Sequence, residues 1–274
     1  MAIMKNKQQS SGDKPVEPGN TYFDVQAYWG MTKHMGGLKA TETLVELCHI
    51  DQTKYVLVVG CGVGVTPCYL ARKYAYRITG IDISEDMVAR SRERAKRKGV
   101  GEIAKFRVAD AQALPFEDNT FDAVICESVN AFIEDKAKAL SEYVRVTKSG
   151  GYVGFNEVTW LETPPEGLVR YLYRIMGAEF LTGNNGWKKL LDSSGLIETE
   201  ALIHKTNAVN QWISEVKQIE FADFLRSWIR FLYLLFASKA CRRFAREALS
   251  FPRSIFSLFR YFGYGIYVGR KPDR

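Results

Sequence analysis

The apolar run Tyr55–Val59 does not alternate, and it stops abruptly in three glycines set two apart, Gly60, Gly62 and Gly64. A continuous run of this length reads as a strand covered on both faces. The glycines let the backbone turn sharply and approach a ligand closely, because no Cβ stands in the way. The pattern then predicts a helix over 65–74, whose free N–H groups point back at the turn. Strand, glycine turn and helix form a nucleotide-type cradle, which several α/β folds share.

The rest of the chain narrows the choice. Acid-tipped strands are predicted at 77–82, ending on Asp82; 104–108, followed by Asp110; 121–126, followed by Glu127; and 152–156, followed by Glu157. Helices are predicted between them at 84–98, with Ser84 as N-cap and Gly99 as stop, and at 135–147. A helix over 38–50 leads into the first strand. Further helices are expected at 167–176 and 186–193, with strands at 199–205 and 265–268. Strands alternating with helices at this spacing define an α/β fold: a doubly wound, Rossmann-like, mainly parallel sheet of seven strands with the last antiparallel. Ligands of such sheets sit beyond the carboxyl ends of the strands, where the four acids fall.

With 274 residues, 46% of them hydrophobic and 25% charged, the chain reads as one ordinary globular domain with an elaboration. Residues 1–20 read as a flexible tail with no apolar core of a signal peptide, so a cytoplasmic location is expected. Cys48, Cys61, Cys68, Cys126 and Cys241 have no paired spacing, which implies free thiols and no metal centre. The domain is expected over 21–206 and 263–274, its N-terminal part a flap rich in aromatics, with residues 207–262 inserted as a helical cap. If the strand at 199–205 is parallel and the last strand returns antiparallel, that insertion emerges over the ligand crevice.

Five stretches, VLVVGCGVG at 56–64, GIDIS at 80–84, VADAQALPF at 108–116, FDAVICESV at 121–129 and RVTKSGGYV at 145–153, resemble in order and spacing the class I S-adenosylmethionine-dependent methyltransferases. The similarity is greatest to the branch that contains the ubiquinone, menaquinone, sterol and tocopherol methyltransferases. The resemblance implies S-adenosyl-L-methionine as cofactor. It places Gly60, Gly62 and Gly64 against the methionine part and ribose, and Asp82 on both ribose hydroxyls. Asp110 and the Ala111 N–H are placed at the adenine edge, with Ile83 and Leu114 on its faces. Val58 departs from the family pattern, which has an acid two residues before the first glycine. A dinucleotide-binding dehydrogenase would need Gly or Ala at position 65, which is Val65 here.

A sulfonium methyl is already activated, so the protein's work is to align the nucleophile and exclude water. A base is needed only where the acceptor must lose a proton. Glu127, Glu157 and His34 are the candidates. Glu127 has two readings, substrate or cofactor binding and a structural hydrogen bond; for Glu157 a positioning role is favoured, and for His34 a local role in the flap. Tyr22 and Trp29 are placed to close over the cofactor, where aromatic faces suit a sulfonium; a plain hydrophobic anchor is the alternative.

From residue 205 to the end stand 13 Lys and Arg against 5 Asp and Glu, within a net charge of +7 for the chain. Basic and aromatic residues interleaved on a cap suit a small apolar or amphiphilic acceptor (quinone, isoprenoid, polyketide or lipid) taken from a membrane surface; a solvated helix face is the plain alternative. N-methylation of a phospholipid-like amine and a non-catalytic, cofactor-binding regulator are the competing functions. A nucleic-acid substrate is not expected, because the Asn-Pro-Pro-Tyr type sequence is missing after the fourth strand. Oligomeric state stays open.

Overall fold

The computed structural model describes residue 22, residues 34–207 and residues 221–273. The tail and most of the flap, Trp29 included, lie outside the described residues, as does 208–220 of the expected cap. Strands β1 (Tyr55–Val59), β2 (Arg77–Asp82), β3 (Ala104–Val108), β4 (Phe121–Glu127), β5 (Thr147–Trp160), β7 (Ile197–Lys205) and β8 (Phe262–Arg270) form one sheet in the order β3-β2-β1-β4-β5-β8-β7. The two-residue strand β6 (Leu181–Thr182) pairs with the end of β5. The first five strands pair in parallel, while β8 runs antiparallel to both β5 and β7. Strand β7 therefore points the same way as β1–β5. The sheet has eight strands among the described residues, one more than the sequence predicts; the extra one is too short to carry a periodic signal.

Alternate residues of the central strands serve two cores, as the two-residue period of a strand requires. Leu57, Val59, Val124, Cys126, Val153 and Phe155 face one side, with α4 (Lys136–Val146) packed on them through Leu140 and Tyr143. Val56, Val58, Ala123, Ile125 and Ile266 face the other, under α1 (Gly37–Leu47), α2 (Val65–Tyr74) and α3 (Glu85–Arg97). Burial on both faces explains why β1 and β4 read as unbroken apolar runs. Ser84 caps α3 by accepting the Met87 N–H at 3.3 Å, with Glu85 and Asp86 in the first turn.

Strand β5 runs well past the predicted 152–156, because β8 pairs with it from Tyr152 to Trp160. The predicted helix at 186–193 is instead a π-helical turn, Gly183–Lys188, followed by the short α6 (Lys189–Asp192). Helix α5 (Glu166–Met176) follows β5. Between β7 and β8 stand α7 (Phe221–Ala237), α8 (Lys239–Leu249) and, after a 3-10 turn, α9 (Leu258–Tyr261). Register pairs Lys205 with Gly263 and Trp160 with Phe262, so this connection leaves and re-enters at the carboxyl edge of the sheet. There α8 is tied to α5: the Tyr171 hydroxyl donates to Ala248 O and Arg174 reaches Ser250.

Candidate active site

The glycine turn is held from two sides. All three glycines have positive φ: 64° at Gly60, 55° at Gly62 and 79° at Gly64. At Gly60 an added Cβ would stand 2.2 Å from Val129 Cγ2, and at Gly64 about 3.0 Å from Ser91. The room at these two positions is thus taken by the turn after β4 and by α3, a reason for glycine beyond the close ligand approach read from the sequence. The turn's own bonds are Cys61 N–H to Ile81 O, Gly64 N–H to Cys61 O, and Ser91 Oγ donating to Gly62 O at 2.7 Å.

Asp82, at the tip of β2, links that turn to the next helix. Its Oδ2 accepts the Gly62 N–H at 2.9 Å and its Oδ1 accepts the Ser84 N–H at 3.0 Å. Burial raises its carboxyl above the ordinary value, against the opposing pull of those N–H groups. Ile83 beside it is 68% exposed, an open apolar face next to a carboxylate. Asp110 is half-buried and accepts the Gln112 N–H at 2.8 Å, with Ala111 half-buried beside it. Leu114, expected across from Ile83, is only 4% exposed: it packs into the core, its N–H given to Glu142. Tyr22 stacks on Phe132 in the turn after β4, with centroids 6.2 Å apart.

Glu127 closes β4 and sits in a cleft of about 350 Å³, mouth included, lined by His34, Val58, Val59, Gly60, Cys61, Val65, Thr66 and Glu127. Both carboxylate oxygens are engaged: Oε1 accepts from the Thr41 hydroxyl at 2.9 Å and Oε2 from the Thr66 hydroxyl at 2.8 Å. His34 Nε2 lies 3.0 Å from Thr41 Oγ1 and 3.6 Å from Glu127 Oε1. Because Thr41 gives its one hydroxyl hydrogen to Glu127, His34 Nε2 must carry the hydrogen it shares with Thr41, which leaves Nδ1 as the acceptor of the neutral ring. Three separate elements meet here, α1 through Thr41, α2 through Thr66 and β4 through Glu127. Sequence reading did not single out Thr41 and Thr66. A threonine on the apolar side of a predicted helix is the signal that such a buried hydroxyl gives.

His34 is placed by its neighbours in sequence. Gly36 and Gly37 both have positive φ, which kinks the chain into α1. Met35 O accepts from Asn156 Nδ2 at 2.7 Å, and Met35 N–H donates to Ser128 Oγ at 3.3 Å. Glu157 lies on the other face of β5, fully buried. Its Oε1 accepts the Val129 and Asn130 N–H groups at 2.8 and 2.6 Å, while its Oε2 has no partner among the described residues. Burial pushes its carboxyl up to about 8, although both N–H groups favour the charged form. Glu157 thus holds the segment whose Val129 abuts Gly60, and it does not line the cleft. All five cysteines are free and buried, and among the described residues no cluster of His, Cys, Asp and Glu is suited to a metal.

A glycine turn between β1 and α2, flanked by acids at the tips of β2 and after β3, in a sheet whose last strand alone is reversed, is the layout of the class I methyltransferase domain. Residues 57–155 match the family described as a methyltransferase domain. Among curated relatives, an uncharacterized protein of Haemophilus influenzae is 32% identical over 164 residues, 58% of this chain and 65% of that one. Tocopherol O-methyltransferase of Arabidopsis thaliana is 39% identical over 107 residues, 39% of this chain and 30% of that one. A Haemonchus contortus phosphoethanolamine N-methyltransferase 2, solved with S-adenosyl-L-methionine, superposes with a TM-score of 0.70 at 20% identity, over 91% of this chain and 57% of that one. The chain spans less than two thirds of the length of each of these relatives.

The residues present suit the cofactor of that class. A carboxylate beside an exposed apolar face, Asp82 with Ile83, fits a ribose carrying a flat base. At the cleft, Val58 is buried in the core and brings no charge where the class has its acid. Glu127 supplies a carboxylate to the same hollow from the neighbouring strand.

Proposed function

We propose that the protein transfers a methyl group from S-adenosylmethionine to a small, largely apolar or amphiphilic molecule, with Glu127 holding the amino-acid end of the cofactor. The observation that carries this reading is the Glu127 carboxylate. It is 9% exposed, fixed by two threonine hydroxyls, and lines the cleft beside Gly60 as its one acid among the described residues. A carboxylate so placed meets an ammonium group and takes over what Val58 cannot do. When bound, the cofactor supplies a methyl already activated by its sulfonium charge. Asp82 then accepts from the ribose hydroxyls, Ile83 covers one face of the base, and Asp110 with the Ala111 N–H reads its edge.

The chain's remaining task is alignment and the exclusion of water. An acceptor that must lose a proton has His34 at hand: Thr41 keeps its Nε2 protonated, so Nδ1 is the basic position. Thr41 and Glu127, the latter 3.6 Å from Nε2, hold the ring in place for that step. Glu157 acts on the chemistry only through the turn it pins. The apolar acceptor is supported by Val58, Val59 and Val65 in the cleft and by the Trp160, Phe180 and Phe262 rings, which cluster where β5 ends and the antiparallel β8 begins. The relatives act, by their names, on one apolar and one amine acceptor, tocopherol and phosphoethanolamine.

Calorimetric titration tests the assignment of Glu127. Glu127→Gln is expected to weaken S-adenosylmethionine about tenfold or more, the worth of one charge-assisted contact. Binding of 5′-methylthioadenosine, which has no amino-acid end, stays unchanged. Equal losses for both compounds would make Glu127 a structural residue only. An unchanged affinity with turnover lost on amines alone would favour the second reading, in which this carboxylate receives an amine substrate.

A further inference from the structure

Helix α7 is apolar towards the protein and apolar away from it. Inward, Leu234 is buried, with Phe231 and Leu235 packed against Cys241 and Phe244 of α8. Outward, Leu225, Ile229, Leu232, Tyr233 and Phe236 follow one another at helical spacing on a single face, and all five are exposed. Phe236 is 83% exposed. The apolar surface continues past α8 in exposed Leu249, Phe251 and Phe256, the two phenylalanine rings edge to face at 5.8 Å. A stripe of this extent on a single helix marks a contact with something else.

The charge beside it says what. Lys239, Arg242, Arg246 and Arg253 are exposed on and after α8. The Arg242 guanidinium donates to Leu235 O at 3.0 Å and Phe236 O at 2.7 Å, which sets a cation next to the most open part of the stripe. From residue 205 onward basic residues outnumber acidic ones by 13 to 5. Two copies meeting face to face here would bring these like charges together. Among the described residues no helix is long and apolar enough to cross a membrane. An apolar stripe flanked by arginines on a helix too charged to span is the pattern of a segment lying in the headgroup plane.

We infer that the outward face of α7, with the Phe251–Phe256 turn, docks on an anionic lipid leaflet, the aromatic and aliphatic groups entering between the headgroups and the arginines meeting lipid phosphates. This surface stands apart from the cleft, and the inference holds whatever the acceptor is. Because the connection carrying it springs from the carboxyl edge of the sheet, docking brings that edge to the leaflet.

Co-sedimentation of the full chain with vesicles tests it. Vesicles of three parts phosphatidylcholine to one of phosphatidylglycerol are compared with phosphatidylcholine alone, at about 0.1 M salt, where surface charge still acts. The expected result is binding to the anionic vesicles at least about tenfold tighter than to the neutral ones, weakening as salt rises. The double variant Ile229→Asp, Phe236→Asp is expected to lose at least about tenfold of that binding while its circular dichroism and its titration with S-adenosylmethionine are unchanged. Absence of binding by the native chain, or binding kept by the double variant, overturns the inference. So does light scattering that shows a dimer dissociated by the same two substitutions, which would make the stripe a contact between copies.

Discussion

The carboxyl edge of the sheet supports two regions built on opposite principles. Around the tips of β4 and β5, polar groups are sunk in the interior: Thr41, Thr66, Glu127, Asn130, Asn156 and Glu157 are all buried. Their hydrogen bonds tie α1, α2, β4 and β5 together. In the α7–α8 region the reverse holds, with large apolar side chains outside and arginines around them. Buried polarity fixes geometry, because each group is costly without its partner, so little can change there without loss. Outward apolarity fixes nothing inside the protein and is free to serve a contact.

The contrast is broken most easily at Gly60. Alanine there must adopt a φ near 64° and put a methyl group within 2.2 Å of Val129. Strain and overpacking together are expected to lower the unfolding free energy by about 3 kcal/mol, read by urea titration. Gly99 has a similar φ of 68° and nothing near its Cβ position, so Gly99→Ala gives the backbone share alone, about 1 kcal/mol. If Gly60→Ala costs no more than Gly99→Ala, the turn after β4 does not grip the glycine turn.

Glu157 comes next. Glu157→Ala leaves the Val129 and Asn130 N–H groups without their acceptor, an expected cost of about 2 kcal/mol. The pH dependence is more telling. The folded carboxyl titrates at about 8 and the unfolded one near 4.5, so between these values the folded chain holds the extra proton. Stability from this group is whole below the unfolded value and is lost as pH rises through about 8. Unfolding at about pH 5 and about pH 8 should therefore show the native chain weakening towards the alkaline side, and Glu157→Gln, which keeps the accepting oxygen and cannot titrate, weakening less. Equal slopes would mean that Glu157 is ionised throughout, and the buried polar cluster would then be more open to water than its burial indicates.

These two regions were also unequally legible. The elements nearest the cofactor turn, α2 at Val65–Tyr74, β2 at Arg77–Asp82 and β3 at Ala104–Val108, stand where local punctuation puts them, since glycine, acid and cap signals lie within a few residues of each boundary. Strand β5 outran its sequence signal because its partner β8 lies more than a hundred residues away and sets its length. The acids at the strand tips were visible as residue types. A positioning role for Glu157 was readable too, but not the geometry behind it: that Glu127 lines the cleft while Glu157 turns inward depends on the alternating faces of neighbouring strands and on two threonines from other helices. In α7 the helix was plain, but its orientation was hidden, because FADFLRSWIRFLYLLF is apolar nearly all round and periodicity cannot then choose the inner face.

The smallest expected effect is the sharpest test of the contrast. If the outer face of α7 is free, Ile229→Asp with Phe236→Asp should change the unfolding free energy by no more than about 0.5 kcal/mol, as surface substitutions do. Leu234, two residues before Phe236 on the same helix, is 2% exposed against Cys241, and Leu234→Ala should cost about 2–3 kcal/mol. Amide exchange along α7 localises the result. Leu234→Ala should speed exchange through α7 and α8, since it loosens the contact that docks one on the other. The double aspartate should leave exchange unchanged in the absence of lipid and slow to respond to added anionic vesicles, whereas the native chain becomes protected along the Leu225–Phe236 face. Were the aspartates to loosen α7 as Leu234→Ala does, the outer stripe would be part of the packed interior, and the division between a polar region that holds the fold and an apolar one that faces outward would not stand.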